Sequence, residues 1–352
     1  MAAFYPLTIQ AITRETSQAV VIVFKLPDTL KDTFQFIAGQ YISLKTMLNG
    51  EELRRAYSIC AAPGSGELSV AVKAIPGGRF SVFANTDLQV GDRLEVSPPT
   101  GRFILETRAD KARHYLGLAA GSGITPLMAM LKAVLENEPD STFTLVYGNK
   151  TAADTIFRAS LASLEQQYPA RFVLQYVLSR ETNPPALSGR IDRSTLHHIL
   201  QRRGKGTAFD EVFICGPEAM VDTARETLSD HGIDKAKIHF ELFTASPSTA
   251  NDAEPSFAGV SKLTVLLDGV ETAFSTSADK TLLEASLDAG LDPPYSCQGG
   301  FCTSCLAKVT HGKATMPDSS SLSEAEQKEG FVLTCLAHPA SNHIRLDFDD
   351  IS

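Results

Sequence analysis

Residues 297–305 read Cys297-Gln298-Gly299-Gly300-Phe301-Cys302-Thr303-Ser304-Cys305, and a further cysteine follows at Cys335. The spacing, Cys-x4-Cys-x2-Cys with one distant partner, is that of a plant-type 2Fe–2S site. Four thiolates must surround a compact charged object, and Gly299 and Gly300 let the backbone approach it closely. Backbone N–H groups can then point at the sulfurs, which is one lever on the reduction potential. A structural zinc site also uses four thiolates, but its cysteines usually come as two close pairs. Three in one loop with a remote fourth fit that poorly. Disulfides fit poorly too, because the start Met1-Ala2-Ala3-Phe4-Tyr5-Pro6 lacks the basic and apolar regions of a secretory signal. A reducing cytoplasm is the expected compartment. A cluster of this kind carries one electron, so other parts of the chain must supply it and a partner must take it.

Working outward from the loop, Leu263-Thr264-Val265-Leu266-Leu267 reads as a strand and Asp268-Gly269 as a hairpin turn. Thr281-Leu282-Leu283-Glu284 is a capping box that opens a helix ending at Gly290. Strand, hairpin, helix, cluster loop is the order of a β-grasp ferredoxin, expected over 259–352. The small polar stretch before it, 245–258, reads as a linker. From Gly259 onward there are 6 Lys+Arg against 13 Asp+Glu, a charge of −7. Such a charge either steers docking to a basic acceptor or serves solubility.

The middle of the chain, 112–244, alternates strands and helices, the rhythm of a parallel α/β sheet. Tyr115–Ala120 reads as a buried strand and Pro126–Glu136 as a helix. Between them lies Gly121-Ser122-Gly123-Ile124-Thr125-Pro126. Thr125 is expected as the N-cap and Pro126 at the first helical position. Glycines here allow a dinucleotide pyrophosphate near a helix N-terminus, although a tight βα turn with no ligand would look similar. Cys215-Gly216-Pro217 ends a later strand. Cys215 suits either a small buried position or contact with a nicotinamide ring. Ser179-Arg180 follows the strand Phe172–Leu178, where a hydroxyl beside a guanidinium suits a ribose 2′-phosphate; a plain polar strand terminus is the alternative.

The front, 1–106, has short strands at regular spacing and is expected to form an antiparallel barrel. Leu68-Ser69-Val70-Ala71-Val72-Lys73 alternates with period two, as a strand does. Arg55-Ala56-Tyr57-Ser58 places Arg55 and Tyr57 on one side of a strand, a cation and an aromatic that a flavin could use. Lys73 and then Gly77-Gly78-Arg79-Phe80-Ser81 follow, the latter leading into a helix start as a second phosphate site.

The chain has 352 residues, enough for two or three domains. With 43% hydrophobic and 21% charged residues it reads as a soluble globular protein. No apolar run is long enough to span a membrane. A net charge of −9 argues against nucleic acid as a partner. The eight histidines show no metal-ligand spacing.

Arg-x-Tyr-Ser, Gly-Gly-x-x-Ser, Gly-Ser-Gly-Ile-Thr-Pro and Cys-Gly-Pro, in that order, resemble the ferredoxin–NADP⁺ reductase family. The ferredoxin module behind them resembles that of a fused oxygenase reductase. Arg54–Cys60, Pro99–Phe103, Leu287–Gly290 and Gly330–Cys335 are most similar to the reductases of phenylacetate-degrading oxygenase systems. The resemblance implies that Arg55, Tyr57 and Ser58 hold FAD and that Gly78 and Ser81 serve its pyrophosphate, with Lys73 a further cofactor-binding candidate from the residues themselves. It implies that Gly121, Gly123 and Thr125 hold the nicotinamide nucleotide, with Cys215 by the hydride path. Ser179 and Arg180 would take the 2′-phosphate of NADPH, Phe243 would cover the flavin, and Cys297, Cys302, Cys305 and Cys335 would ligate the cluster. The implied acceptor is the di-iron component of a multicomponent oxygenase. The other readings are an aromatic-ring or steroid hydroxylase as acceptor, or a redox sensor without catalysis, which the full motif set disfavours.

Overall fold

Why the front segment closes into a barrel can be read from its strand order. The computed structural model describes residues 3–202, 209–244, 257, 259–300, 303–317 and 321–350. The expected linker, 245–258, lies outside the described residues but for Phe257, and so does the expected ligand Cys302. The chain divides into Tyr5–Thr244 and a second unit that holds Ala245–Ser352.

In the first unit, six antiparallel strands come first: β1 (Tyr5–Thr16), β2 (Ala19–Lys25), β3 (Tyr41–Leu48), β4 (Glu51–Ser58), β5 (Leu68–Lys73) and β6 (Arg93–Val96). Their order is β4-β3-β6-β1-β2-β5. The two ends of that series meet through an Ile59–Val70 bridge and a Cys60 N–H donated to Ser69 O at 2.9 Å. Closure removes the open edges a sheet would otherwise expose. Leu7, Ile9, Ile22, Ile42, Leu44, Val70 and Phe80 fill the interior, each such side chain contributing about 1.5–3 kcal/mol by burial. Leu68–Lys73 is the expected period-two strand, and both its faces are covered: Leu68 through Val72 are all buried. Leu68, Val70 and Val72 face the barrel core, whereas Ala71 and Cys60 join a different core shared with the next domain. Helix α1 (Arg79–Thr86) follows β5.

The next domain is a six-stranded parallel sheet: β7 (His114–Ala120), β8 (Thr142–Asn149), β9 (Phe172–Leu178), β10 (Leu187–Ser188), β11 (Glu211–Pro217) and β12 (Ile238–Thr244). Helices α2 (Ile124–Asn137), α3 (Arg158–Gln167), α4 (Arg193–Arg202) and α5 (Glu218–Asp230) connect the strands. Central strands such as β7 are near-continuous apolar runs, as burial on both faces requires. The order β10-β9-β8-β7-β11-β12 reverses direction between β7 and β11. That reversal opens a crevice at the carboxyl ends of these two strands, where open α/β sheets bind ligands.

Two hydrogen bonds fix this domain against the barrel. Lys132 Nζ donates to Cys60 O at 3.2 Å, and Phe157 N–H donates to Glu15 Oε2 at 2.8 Å. Phe157 has φ +60°, a left-handed conformation that costs an L-residue about 1–2 kcal/mol.

A buried carboxylate holds the amino-terminal edge of the sheet. Glu138 is fully buried and accepts from the Tyr115 hydroxyl at 3.1 Å, the Ser141 hydroxyl at 2.6 Å, Arg108 N–H at 2.7 Å and the Arg113 guanidinium. Burial acts to raise its pKa, but the Ser141, Arg108 and Arg113 hydrogen bonds outweigh it and hold the carboxyl below the usual range. The network's stabilisation is therefore complete above the unfolded pKa of about 4.3 and is lost as pH falls through the lower folded value. Glu138→Gln is expected to lower stability by about 2 kcal/mol at pH 7 in urea titration, since it leaves Arg113 facing a neutral partner. The deficit should shrink as pH falls below the unfolded value.

The second unit has the strands β13 (Val260–Leu267), β14 (Val270–Ser277), β15 (Leu306–His311), β17 (Phe331–Leu333) and β19 (His343–Asp347), with a two-residue ladder of β16 (Ala314–Thr315) and β18 (His338–Pro339). The five longer ones form a mixed sheet in the order β14-β13-β19-β15-β17. Only β13 and β19 run parallel. Asp268 and Gly269, at φ +52° and +74°, make the expected two-residue hairpin turn. Helix α6 (Leu282–Asp288) starts with the expected Thr281–Glu284 capping box, and a second box opens α7 (Glu324–Lys328). Leu282 and Ala285 of α6 pack on Leu263, Val265, Ile344 and Leu346 of the sheet. This is the expected β-grasp arrangement. Among the described residues no helix is long and apolar enough to cross a membrane.

Candidate functional site

The crevice at the switch point gathers most of the residues singled out in the first unit. Gly121–Gly123 forms a 3-10 turn directly after β7, with Gly121 at φ +56°. The Tyr147 hydroxyl donates to Gly121 O at 2.9 Å and pins the turn. Helix α2 then starts at Ile124, earlier than expected, so Thr125 lies inside the first turn and is not the cap. Its hydroxyl donates to Ser122 O at 3.0 Å. Pro126 is tolerated there because first-turn N–H groups have no helical partner.

Gly123 touches the Cys215-Gly216-Pro217 strand end. A Cβ at Gly123 would lie 2.2 Å from Cys215 O and 3.0 Å from Gly216 N, so only glycine lets the turn and the strand end close on one another. Cys215 itself is fully buried, and burial first, then the charge of Glu241, pushes its thiol well above the ordinary range. It is a neutral thiol, flanked in register by Ala119 of β7 and Glu241 of β12. Phe243 sits at a bulge: Leu242 pairs with Gly216 and Thr244 with Pro217, which leaves Phe243 between them. Bulges of this kind re-aim a side chain next to a site. Phe243 packs, half-buried, against the core shared by the two domains.

Lys73 reaches the same place from the barrel. Its Nζ lies 3.8 Å from where a Gly121 Cβ would stand. Burial lowers its pKa, with Asp154 opposing and Lys150 adding to that. Tyr57 stands on β4 with its ring 5.6 Å from Phe80 of α1, so the Arg55-Ala56-Tyr57-Ser58 strand and the Gly78 helix start are neighbours. Burial raises the Tyr57 hydroxyl pKa, against the pull of Arg55. Arg55 donates to Arg54 O at 2.6 Å and Ser58 is buried. Gly78 is the N-cap of α1. The Ser81 hydroxyl accepts from Ile75 N–H at 3.3 Å and donates to Gly78 O at 3.4 Å, so it closes the loop on itself. A free first turn beside a tyrosine ring and a cation is a fit for a flavin nucleotide.

Ser179 and Arg180 lie exposed at the carboxyl end of β9. Arg180 N–H donates to Lys150 O at 2.9 Å, and Gly189 N–H to Leu178 O at 2.8 Å. The backbone of Lys150 thus lies beside Arg180 on one side of β9's end, and Gly189, which precedes Arg190, lies on the other. Sequence reading passed over Lys150 and Arg190, and over Glu241. Their signal is register across strands, which no local pattern carries.

In the second unit Cys297 is half-buried while Cys305 and Cys335 are buried. The Cys335 thiol bonds to those of Cys297 and Cys305, which raises its pKa, while the bond from Cys335 lowers that of Cys305. The structure thus brings three of the four expected ligands together. Gly299 N–H donates to Cys297 Sγ at 3.4 Å. Gly300 has φ +81°, and a Cβ there would lie 2.2 Å from Leu336 Cδ1. Among the described residues no three histidine, cysteine or acidic side chains are placed to hold a single metal ion. A two-iron cluster does not need such a set, because its four thiolates are shared between two irons. Convergent thiols with N–H groups turned to them fit the cluster.

A glycine turn packed on a glycine strand end at a switch point, an aromatic-and-cation strand beside a helix start, and a cysteine loop on a β-grasp sheet define a flavin- and nucleotide-dependent redox protein with its own iron–sulfur carrier. Comparison with known proteins agrees. The oxidoreductase FAD-binding domain family matches residues 6–105, the oxidoreductase NAD-binding domain family residues 118–226, and the 2Fe-2S iron-sulfur cluster binding domain family residues 265–340. The chain is 41% identical to a component of the 1,2-phenylacetyl-CoA epoxidase of Escherichia coli, over 99% of each chain. It is 30% identical to the ferredoxin reductase component of 3-ketosteroid-9-alpha-monooxygenase of Rhodococcus rhodochrous, over 97% of this chain and 96% of that one. Phthalate dioxygenase reductase superposes with a TM-score of 0.62 at 25% identity, covering 98% of both chains. The chain belongs to the family of oxygenase reductase components that pass electrons from NAD(P)H through FAD to a 2Fe–2S cluster.

Proposed function

We propose that this chain is the NADPH-dependent reductase of a di-iron oxygenase that epoxidises phenylacetyl-CoA in aerobic phenylacetate breakdown, acting in the cytoplasm. The observation that carries the acceptor is the 41% identity to the epoxidase component over the whole of both chains, against 30% for the ketosteroid component. When bound, FAD accepts a hydride and releases electrons singly, and the cluster accepts them one at a time.

The residues divide the work. Arg55, Tyr57 and Ser58 hold the flavin, and the α1 start at Gly78 takes its pyrophosphate, with Ser81 keeping that loop closed. Gly121 and Gly123 admit the nicotinamide nucleotide, with Lys73 supplying a cation at the turn and Thr125 bracing it. Cys215, buried and neutral, lines the hydride path and adds no charge to it; Phe243, re-aimed by its bulge, closes the flavin side. Ser179 and Arg180 take the 2′-phosphate, supported by Lys150 and Arg190. Cys297, Cys302, Cys305 and Cys335 ligate the cluster.

The test is reconstitution. The purified holoprotein, mixed with the phenylacetyl-CoA oxygenase components, NADPH and oxygen, is expected to give the epoxide in step with NADPH consumption. No epoxide, from a preparation that still reduces a generic one-electron acceptor, overturns this acceptor and keeps the reductase. The ketosteroid relatives at 30% identity make a steroid or aromatic-ring oxygenase the next acceptor to try.

A further inference from the structure

Two buried hydroxyls in the second unit lack a hydrogen-bond partner, and both lie at the cysteine loop. Ser296 precedes Cys297 and is 1% exposed, yet its Oγ meets no protein donor or acceptor. Ser321 comes from a segment twenty-four residues past Cys297, and its N–H donates to Gly300 O at 3.4 Å inside the loop. Its Oγ is likewise buried without a partner. Among the described residues of this unit these are the two such side-chain atoms. A nearby hydroxyl behaves in the ordinary way: Thr334, fully buried, donates to Cys305 O at 2.9 Å.

Leaving a buried hydroxyl unpaired costs about 1–3 kcal/mol, so two orphans, one beside Cys297 and one on the segment bonded to Gly300, call for an acceptor that the protein atoms do not supply. The cluster is a dense array of negative sulfur acceptors, and it becomes more negative on reduction. A donor aimed at it stabilises the reduced state more than the oxidised one. Hydrogen bonds to the sulfurs are among the levers that set such potentials.

We propose that the Ser296 hydroxyl, with that of Ser321, donates a hydrogen bond to the sulfurs of the 2Fe–2S cluster and raises its reduction potential. This rests on the cluster reading of residues 297–335. The rival occupant is an ordered water, which would satisfy either hydroxyl and leave the potential alone.

The experiment is a redox titration of the full-length holoprotein, followed by the visible and paramagnetic signals of the cluster. Ser296→Ala is expected to keep those signals and to shift the cluster's reduction equilibrium about tenfold toward the oxidised form, or 59 mV for one electron. Ser296→Thr, which keeps a hydroxyl, is expected to return most of that shift. An unchanged potential in cluster-loaded Ser296→Ala overturns the proposal and leaves the cluster reading intact. A wild-type protein that loads zinc and no iron overturns both. If Ser296→Ala does not hold its cluster, Ser321→Ala is titrated in its place, and an unchanged potential there overturns the proposal equally.

Discussion

Cys305→Ser is expected to abolish the visible and paramagnetic signals of the cluster while NADPH still reduces the flavin within about twofold of the wild-type rate. Reduction of a one-electron acceptor that depends on the cluster should fall about a hundredfold or more. Serine is close to cysteine in size, so the core of Leu283, Leu306, Leu322, Phe331 and Leu333 around it loses little packing. Its oxygen is a poorer ligand than thiolate for an iron–sulfur centre. The loop is built so that one loss is not absorbed: Cys305 and Cys335 are 3% and 8% exposed, free thiols within hydrogen-bond reach of one another, with no spare cysteine among the described residues of that unit. The residues proposed for the flavin and the nucleotide all lie within Tyr5–Thr244, which has hydrophobic cores of its own. Loss of flavin reduction in a folded Cys305→Ser protein would show that the two halves are not energetically separate. The unloaded wild type, stripped by chelation and reductant, should behave like the variant.

Features that depend on neighbours in sequence were legible at once. The cysteine spacing, the Thr281–Glu284 capping box, the Asp268-Gly269 turn, the glycine turn after β7 and the Cys215-Gly216-Pro217 strand end are local arrangements, and the structure has each of them. The barrel and the parallel sheet followed from strand rhythm for the same reason. Features that depend on what lies opposite were not legible. Leu68–Lys73 is the strand its period shows, but that its second face is covered by the next domain and not by water is no local property. Thr125 looks like a cap, but the 3-10 turn before it starts the helix early. Phe243 is aimed by a bulge that exists only in the pairing of β12 with β11. Glu241 could have been noticed as a charge inside an apolar strand, although its position beside Cys215 needs the register. The lesson is physical: propensity and capping act over four residues, whereas a site on a parallel sheet is assembled across strands.

The same point bears on the proposed preference for NADPH. A reading confined to Ser179-Arg180 offers one guanidinium, but the strand order brings the backbone of Lys150, at β8's exit, and of Gly189, next to Arg190, to the flanks of β9's end. An acid at such a position would favour the free 2′-hydroxyl of NADH. Glu181 is the nearest acid in sequence, yet its Oε2 accepts from Ala152 N–H at 2.8 Å and its Oε1 from the Asn183 amide at 3.2 Å. It is engaged by the loop, which leaves the cations to set the local charge. Arg180→Ala is therefore expected to lower kcat/KM for NADPH about ten- to a hundredfold, the equivalent of about 1.5–3 kcal/mol for a charge-assisted contact to phosphate, and that for NADH less than about threefold. Because the site is exposed, the NADPH loss should shrink as salt rises and screens the pair. Adding Arg190→Ala should deepen the NADPH loss and leave NADH where it was, so that the double variant comes close to indifference between the two nucleotides. Steady-state kinetics with each nucleotide at two ionic strengths reads all of this in one series. An equal fall for NADPH and NADH would mean that Arg180 supports the fold of the strand end and not the 2′-phosphate, and a wild type that prefers NADH would make the three cations a solvated surface.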